Sequence, residues 1–251
     1  MPNKSVALIL AFLLTALLIF NYAAFSQVSA SSNKENVIIG RVIDGDTLVL
    51  KDGRTVRLSN INSPEKGMPG YDLALTFLSE LANKTIQLES FGEDKYRRTL
   101  GKLYTPSYLN LEIVKQGLAN RFLVDDSENS EFRKAEEFAI ENSLGIWKKS
   151  EFYDCIKSTI FEQEEYIILE NNCNSINIVG WTIKDESRKI YKFNSFQLNK
   201  LNKVKIHSEK GDDNSTDLFW GSSTNIWNND KDTAYLFDSQ AEIVHFHSYG
   251  Y

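Results

Sequence analysis

The sequence predicts two domains: a five-stranded β-barrel closed by helices over residues 31–150, then an all-β sandwich over residues 165–251. Three observations carry this. The chain has 251 residues, a length that suits two modest domains as well as one large one. Strand-period and helix-period segments alternate in its first part. Beyond residue 165 only short strands and polar turns can be read.

Residues 1–30 stand apart from both domains. Residues 6–20 are apolar except for one Thr, Lys4 gives a weak positive flank, and Val28-Ser29-Ala30 offers small residues for cleavage. This reads as a signal peptide. Extended to Phe25, the run reaches about 20 residues, enough for an uncleaved membrane anchor. In both readings the folded part lies outside the cytoplasm, secreted or held at the outer face of the membrane.

The first domain opens with β-branched residues 36–43, a strand. Asp44-Gly45-Asp46 turns it, Thr47 to Leu50 form the second strand, and Asp52-Gly53 is a hairpin signal because both positions tolerate positive φ. Thr55 to Ile61 return as the third. Tyr71, Ala74, Leu75, Leu78 and Leu81 then fall on one face of a helix over 71–82. Strands follow at Thr85–Glu89 and Leu100–Tyr104. Asn110 is placed to cap a short helix that Gly117 ends, and Phe132, Ala135, Phe138 and Ala139 mark a last helix. Five strands curled into a barrel and covered by helices remove the exposed sheet edges. Residues 151–164 are mixed and charged, and read as a linker.

The net charge of −6 is uneven. Residues 31–150 hold 17 Lys/Arg against 18 Asp/Glu, and residues 151–251 hold 10 against 16. This excludes the broad basic footprint of a tight DNA binder, although a catalytic site needs only local basicity. The two cysteines, Cys155 and Cys173, suggest neither a metal site nor a disulfide scaffold. A single bridge tying the linker to the second domain and two inert thiols are both open.

Three stretches of the first domain bring together groups suited to a phosphodiester. Arg57 and Arg98 are guanidinium forks that match phosphate oxygens. Glu65, at the exit of the third strand, suits a water as general base or orienter. Asp44 and Asp46, with oxygens near Asn62, form an oxygen-only site for a hard cation, Ca²⁺ or Mg²⁺ ahead of zinc or copper. Taken singly, each has a plain reading: two Asp around a Gly are turn residues, and a strand Arg is a solvated face.

Together the stretches Val42-Ile43-Asp44-Gly45-Asp46-Thr47, Val56-Arg57-Leu58 through Asn62-Ser63-Pro64-Glu65, and Asp94-Lys95-Tyr96-Arg97-Arg98 resemble the signatures of the staphylococcal (thermonuclease) nuclease family. The likeness continues through Ile113 to Ala119 and Gly145-Ile146-Trp147, covering about residues 36–148. It implies an OB-type barrel with three helices and hydrolysis of DNA, with RNA as a second substrate. It puts Arg57, Glu65 and Arg98 at catalytic positions and Asp46 at a calcium-ligand position. Asp44 would act from the outer shell, and Ser63 would lend its backbone carbonyl to the metal. The second carboxylate ligand of the family is Asn62 here, which offers an amide oxygen and no charge, so weaker calcium binding is expected. Leu123 and Asp125 stand where base-stacking tyrosines would be expected.

In the second domain, Gly180-Trp181-Thr182-Ile183-Lys184-Asp185, Ser215 to Gly221, and Ile226 to Ala234 resemble a lamin-tail domain over about residues 165–248. That implies an immunoglobulin-like sandwich with an adhesive or positioning role towards cell-surface or matrix material. Trp181, Trp220 and Trp227 are expected to pack in the core or its rim rather than form a stacking platform. His245 and His247 share a strand face, and solvated side chains are expected there ahead of a metal pair. The leading expectation is an extracellular, monomeric, calcium-dependent nuclease. The alternative is a weak or inactive nucleic-acid-binding module displayed by the sandwich. A matrix-adhesion protein with an ornamental barrel site is the third.

Overall fold

A computed structural model of the chain describes residues 34–250. The first domain runs β1 (Lys34–Val42), β2 (Thr47–Leu50), β3 (Thr55–Leu58), β4 (Ile61–Asn62), α1 (Tyr71–Ser79), β5 (Thr85–Glu93), β6 (Thr99–Tyr104), α2 (Leu109–Lys115), β7 (Asn120–Arg121) and α3 (Asp126–Glu141). Strands β1, β2, β3, β6 and β5 close in that order into a barrel. The parallel pairing of β3 with β6 is what closes it, joining the hairpin strands to the later pair. Period-2 alternation sends Val37, Ile39, Leu48, Leu50, Val56, Leu58, Ile86, Leu88 and Leu103 inward, where Leu78, Ile113 and Phe132 of the helices meet them.

Two expectations for this domain change. The third strand breaks at Ser59-Asn60, and residues 61–62 leave the barrel to pair with β7. Asn60 takes a left-handed φ of 69°, which turns the chain there. Asn110 is not a cap: Tyr108 precedes α2, and Asn110 is fully buried inside it. Its amide donates to Ser59 O (2.9 Å) and Gly101 O (3.1 Å), and its oxygen accepts from Leu103 N (3.0 Å). One satisfied buried amide therefore ties the end of β3 to β6 and α2.

The second domain is all-β: β8 (Ile156–Phe161), β9 (Tyr166–Asn171), β10 (Ile176–Asn177), β11 (Thr182–Lys184), β12 (Ile190–Lys192), β13 (Gln197–Leu198), β14 (Lys203–His207), β15 (Asp217–Phe219), β16 (Asp232–Phe237) and β17 (Ile243–Tyr249). One four-stranded sheet has the order β12-β11-β16-β17 and another β15-β14-β9-β8. They share a core that includes Ile167, Leu169, Val204 and Ile206 from one and Ile183, Leu236 and Val244 from the other. Trp181 and Trp227 are buried in it, and Trp220 packs edge-on against Trp227. The residues expected as a linker are a correction: β8 lies inside 151–164 and pairs along its length with β9. Its alternation, Ile156, Ser158 and Ile160 inward with Lys157 and Thr159 outward, was legible. Cys155 and Cys173 form a disulfide with Cα atoms 5.2 Å apart, pinning the start of β8 to the turn after β9.

The domains meet along an apolar seam. Trp147 of a short 3₁₀ turn, Gly145–Trp147, sits with Ala139 against Tyr235 and Ile243. Ser150 N donates to Ile243 O (3.0 Å) and Ile243 N to Lys148 O (2.8 Å), so the crossing chain joins β17. Gly117 lets the first domain close on this turn: at φ +68° a Cβ there would lie 2.2 Å from Leu144 O. Among the described residues no helix is long and apolar enough to cross a membrane. The leader reading concerns residues 1–30, which lie outside the described residues.

Candidate active site

The site begins where β1 turns into β2. Ile43 N and Asp44 N both donate to Thr47 O, closing a tight bend. Gly45 is required by packing: a Cβ there would lie 2.4 Å from the Ala74 Cβ and 2.8 Å from the Ser63 Cβ. Without it the bend could not press against the loop carrying Ser63. Asp44 Oδ1 accepts from Asp46 N (3.0 Å) and so shapes the bend. Burial, together with the neighbouring Asp46 charge, pushes the Asp44 carboxyl above its ordinary value.

Asp46 is only 1 % exposed. Its Oδ1 accepts from Thr47 Oγ1 (2.9 Å), and its Oδ2 from Ser63 N (2.8 Å) and Ser63 Oγ (3.0 Å). Arg57 Nη2 lies 3.3 Å from the same Oδ2. Burying a carboxylate without such partners would be costly. Arg57 also donates to Leu58 O (2.7 Å) and to Asn62 Oδ1 (3.1 Å). Burial pushes its guanidinium below the ordinary value; the Asp46 charge opposes this, and the Arg188 and Arg98 charges add to it.

A residue from the second domain completes the cluster. Arg188, at the tip of the β11–β12 hairpin, sends Nη2 to Asp46 Oδ2 (3.1 Å), Ser63 O (3.3 Å) and Asn62 Oδ1. Its Nη1 pairs with Glu65, whose side chain is otherwise half exposed. The amide of Asn62 donates in turn to Glu186 O (3.0 Å). Asp46, Asn62 and the Ser63 carbonyl thus converge on one cationic nitrogen. A carboxylate, an amide and a carbonyl oxygen make a donor set that suits a hard cation such as Ca²⁺, though with one formal charge among them. Among the described residues no group of three or more His, Cys, Asp or Glu gathers to hold a metal.

Arg98 does not join this cluster. Its Nε and Nη2 both lie 2.8 Å from Asp94 Oδ2, and its backbone N donates to Asp94 Oδ1 (3.0 Å). Arg57 and Arg98 line one open groove of roughly 700 Å³ with Phe91, Tyr96, Lys102, Phe122, Leu123 and Asp125. Phe91 is 52 % and Tyr96 68 % exposed, and Lys102 Nζ lies 4.7 Å from the Phe91 ring centre. Exposed rings beside cations suit stacked bases and their phosphates.

The sequence reading missed Arg188, Phe91 and Lys102. Phe91 had a signal: an aromatic residue continuing a strand into the charged run 93–98 has no core to enter. Arg188 had none in spacing, because 142 residues separate it from Asp46. In the second domain, His245 and His247 are not solvated as expected. Both rings are half-buried; burial, with the Lys157 charge adding, pushes His245 down to about 4, and burial lowers His247 as well.

Comparison with known proteins identifies a family for each domain. Residues 55–149 match the family model described as staphylococcal nuclease homologue, and residues 151–251 match that of the lamin tail domain. The chain is 34 % identical over 142 residues to an uncharacterized endonuclease of Haemophilus influenzae, covering 54 % of this chain and 77 % of that one. It is 32 % identical over 151 residues to a thermonuclease of Staphylococcus intermedius, covering 53 % and 90 %. It is also 32 % identical over 139 residues to an endonuclease of Bacillus subtilis, covering 45 % of this chain but 11 % of that longer protein.

Proposed function

Since the chain belongs to the staphylococcal nuclease homologues, with a lamin-tail domain after the nuclease domain, we propose that it is an extracellular, calcium-dependent nuclease. It hydrolyses phosphodiester bonds in DNA, with RNA as a second substrate. The observation that carries this is the convergence of the Asp46, Asn62 and Ser63 oxygens beside Arg57, at a groove that also holds Arg98 and exposed rings.

Arg57 and Arg98 grip the non-bridging oxygens of the scissile phosphate and stabilise the charge that grows on them as phosphorus becomes five-coordinate. For this, Arg98 exchanges its Asp94 partner for phosphate. Glu65 takes the proton of the attacking water, or orients that water. A calcium ion held by Asp46, Asn62 and the Ser63 carbonyl, with Asp44 behind them, would add Lewis-acid charge at the phosphate. Phe91 and Tyr96 stack bases, which favours single strands or frayed duplex whose rings are free. We read the two sheets of the second domain as an immunoglobulin-like sandwich that holds this monomeric enzyme at surface or matrix material, secreted or anchored.

The test is digestion of denatured DNA across a calcium titration, with Glu65→Gln alongside. The expected result is calcium-dependent cleavage, slowed at least roughly a hundredfold in Glu65→Gln, the scale of a lost general base. DNA retained without cleavage at any calcium concentration would favour the second reading, a nucleic-acid-binding module. The neutral Asn62 at a ligand position is the observation on that side.

A further inference from the structure

Arg188 is held in place by more than its contacts with the nuclease domain. The hairpin turn is closed by Asp185 N to Lys189 O (3.1 Å) and by Lys189 N to Asp185 Oδ1 (2.6 Å). Glu186 anchors it to its own domain, its N donating to Asp232 Oδ1 (3.3 Å) and its Oε1 accepting from Thr233 Oγ1 (2.6 Å). Arg188 itself takes a left-handed φ of 73°, a conformation that favours glycine or asparagine. An arginine there carries backbone strain that a glycine would not. Its two terminal nitrogens make all their named contacts with Asp46, Asn62, Ser63 and Glu65 of the other domain.

We propose that Arg188 is a tethered cation that competes with a divalent ion for the Asp46, Asn62 and Ser63 oxygens, so that the lamin-tail domain sets the metal threshold of the nuclease site. This rests on the metal position proposed above. The oxygens assigned to the ion are the same oxygens that Nη2 contacts. An ion bound to them would lie at contact distance from a guanidinium, and like charges that close repel strongly. One of the two must leave. The Arg188 side chain is 30 % exposed, so it has a path to solvent. While docked it also neutralises Glu65, the group proposed to receive the proton.

Asn62 fits the same arrangement. Its oxygen faces the Arg57 and Arg188 guanidinium groups while its nitrogen donates to the Glu186 carbonyl. A carboxylate at this position could accept the first two contacts but could not donate the third. The neutral amide is therefore the residue type that lets the hairpin dock.

Calorimetric titration with calcium chloride of the full chain and of Arg188→Gln tests this, because binding is read without any cleavage. Arg188→Gln should bind calcium roughly tenfold more tightly than the wild type, the scale of an ordinary coupling between sites. Arg188→Lys, whose single ammonium spans fewer of the oxygens, should fall between them. Affinity in Arg188→Gln equal to or below that of the wild type would overturn the proposal, as would absence of binding in both. Should Arg188→Gln fail to fold, Arg188→Lys must itself bind more tightly than the wild type, or the proposal falls. Failure of the nuclease reading looks different: the affinities would differ as stated, yet no chain would cut DNA.

Discussion

Both carboxylate oxygens of Asp46 are committed to contacts that order the site, and the same residue faces the position proposed for the ion. Asn62 beside it lacks the charge that a second carboxylate would bring. A divalent ion gains about twice as much as a monovalent guanidinium from an added negative charge at equal distance. Asn62→Asp should therefore shift the balance from Arg188 toward calcium and also remove the donor to Glu186 O. We expect half-maximal cleavage at roughly tenfold lower calcium in Asn62→Asp, read from initial rates on denatured DNA; an unchanged calcium requirement would contradict this. The residues of this cluster were legible from the sequence because Asp44, Asp46, Arg57, Asn62, Ser63 and Glu65 sit on consecutive turns and strand ends of one meander. Arg98 was legible from its own charged turn, although its pairing with Asp94 was not foreseen. Arg188 was hidden, since its role depends on how two separately coded domains dock.

Among the elements, alternation and turn chemistry identified the five barrel strands and the helices, but not where a strand leaves the barrel. The break at Asn60 needs the left-handed turn and the β4–β7 pairing, which bring together residues about sixty positions apart. Asn110 looked like a cap because caps and buried bridging amides use the same residue type. In the edge strand β17 burial changes the titration of two histidines. His245 is held neutral by burial, with Lys157 opposing its protonation and Asp154 favouring it. Its folded value lies near 4 against an ordinary 6.5, so its contribution is full above pH 6.5 and is lost as pH falls toward 4. Urea unfolding at pH 7 and at about pH 4.5 should show the wild type losing roughly 2 kcal/mol more than His245→Gln on acidification. Equal losses in the two chains would show that the ring is not held neutral.

At the scale of the whole molecule, an apolar seam and a polar cluster around Arg188 and Asn62 join the domains. In the seam Trp147 meets Tyr235 and Phe246 through ring contacts at 5.9 and 5.4 Å beside Ile243, and chain pairing of Lys148 and Ser150 with Ile243 fixes its register. Trp147, which closes the last helix, packs on Ala139 of the first domain and also bridges to Tyr235 and Ile243 of the second. Across the same interface the β11–β12 hairpin meets Asp46, Asn62, Ser63 and Glu65, and it is there that the proposed competition with the metal would act. Hydrolysis at an oxygen site organised by Asp46 is tested by one comparison. Cleavage of single-stranded DNA is followed in calcium and in excess chelator, for the wild type and for Asp46→Asn. The expected result is cleavage by the wild type in calcium, none in chelator, and a loss of at least roughly a hundredfold in Asp46→Asn. Cleavage that persists in chelator and is unchanged in Asp46→Asn would place the chemistry elsewhere and contradict hydrolysis at this site.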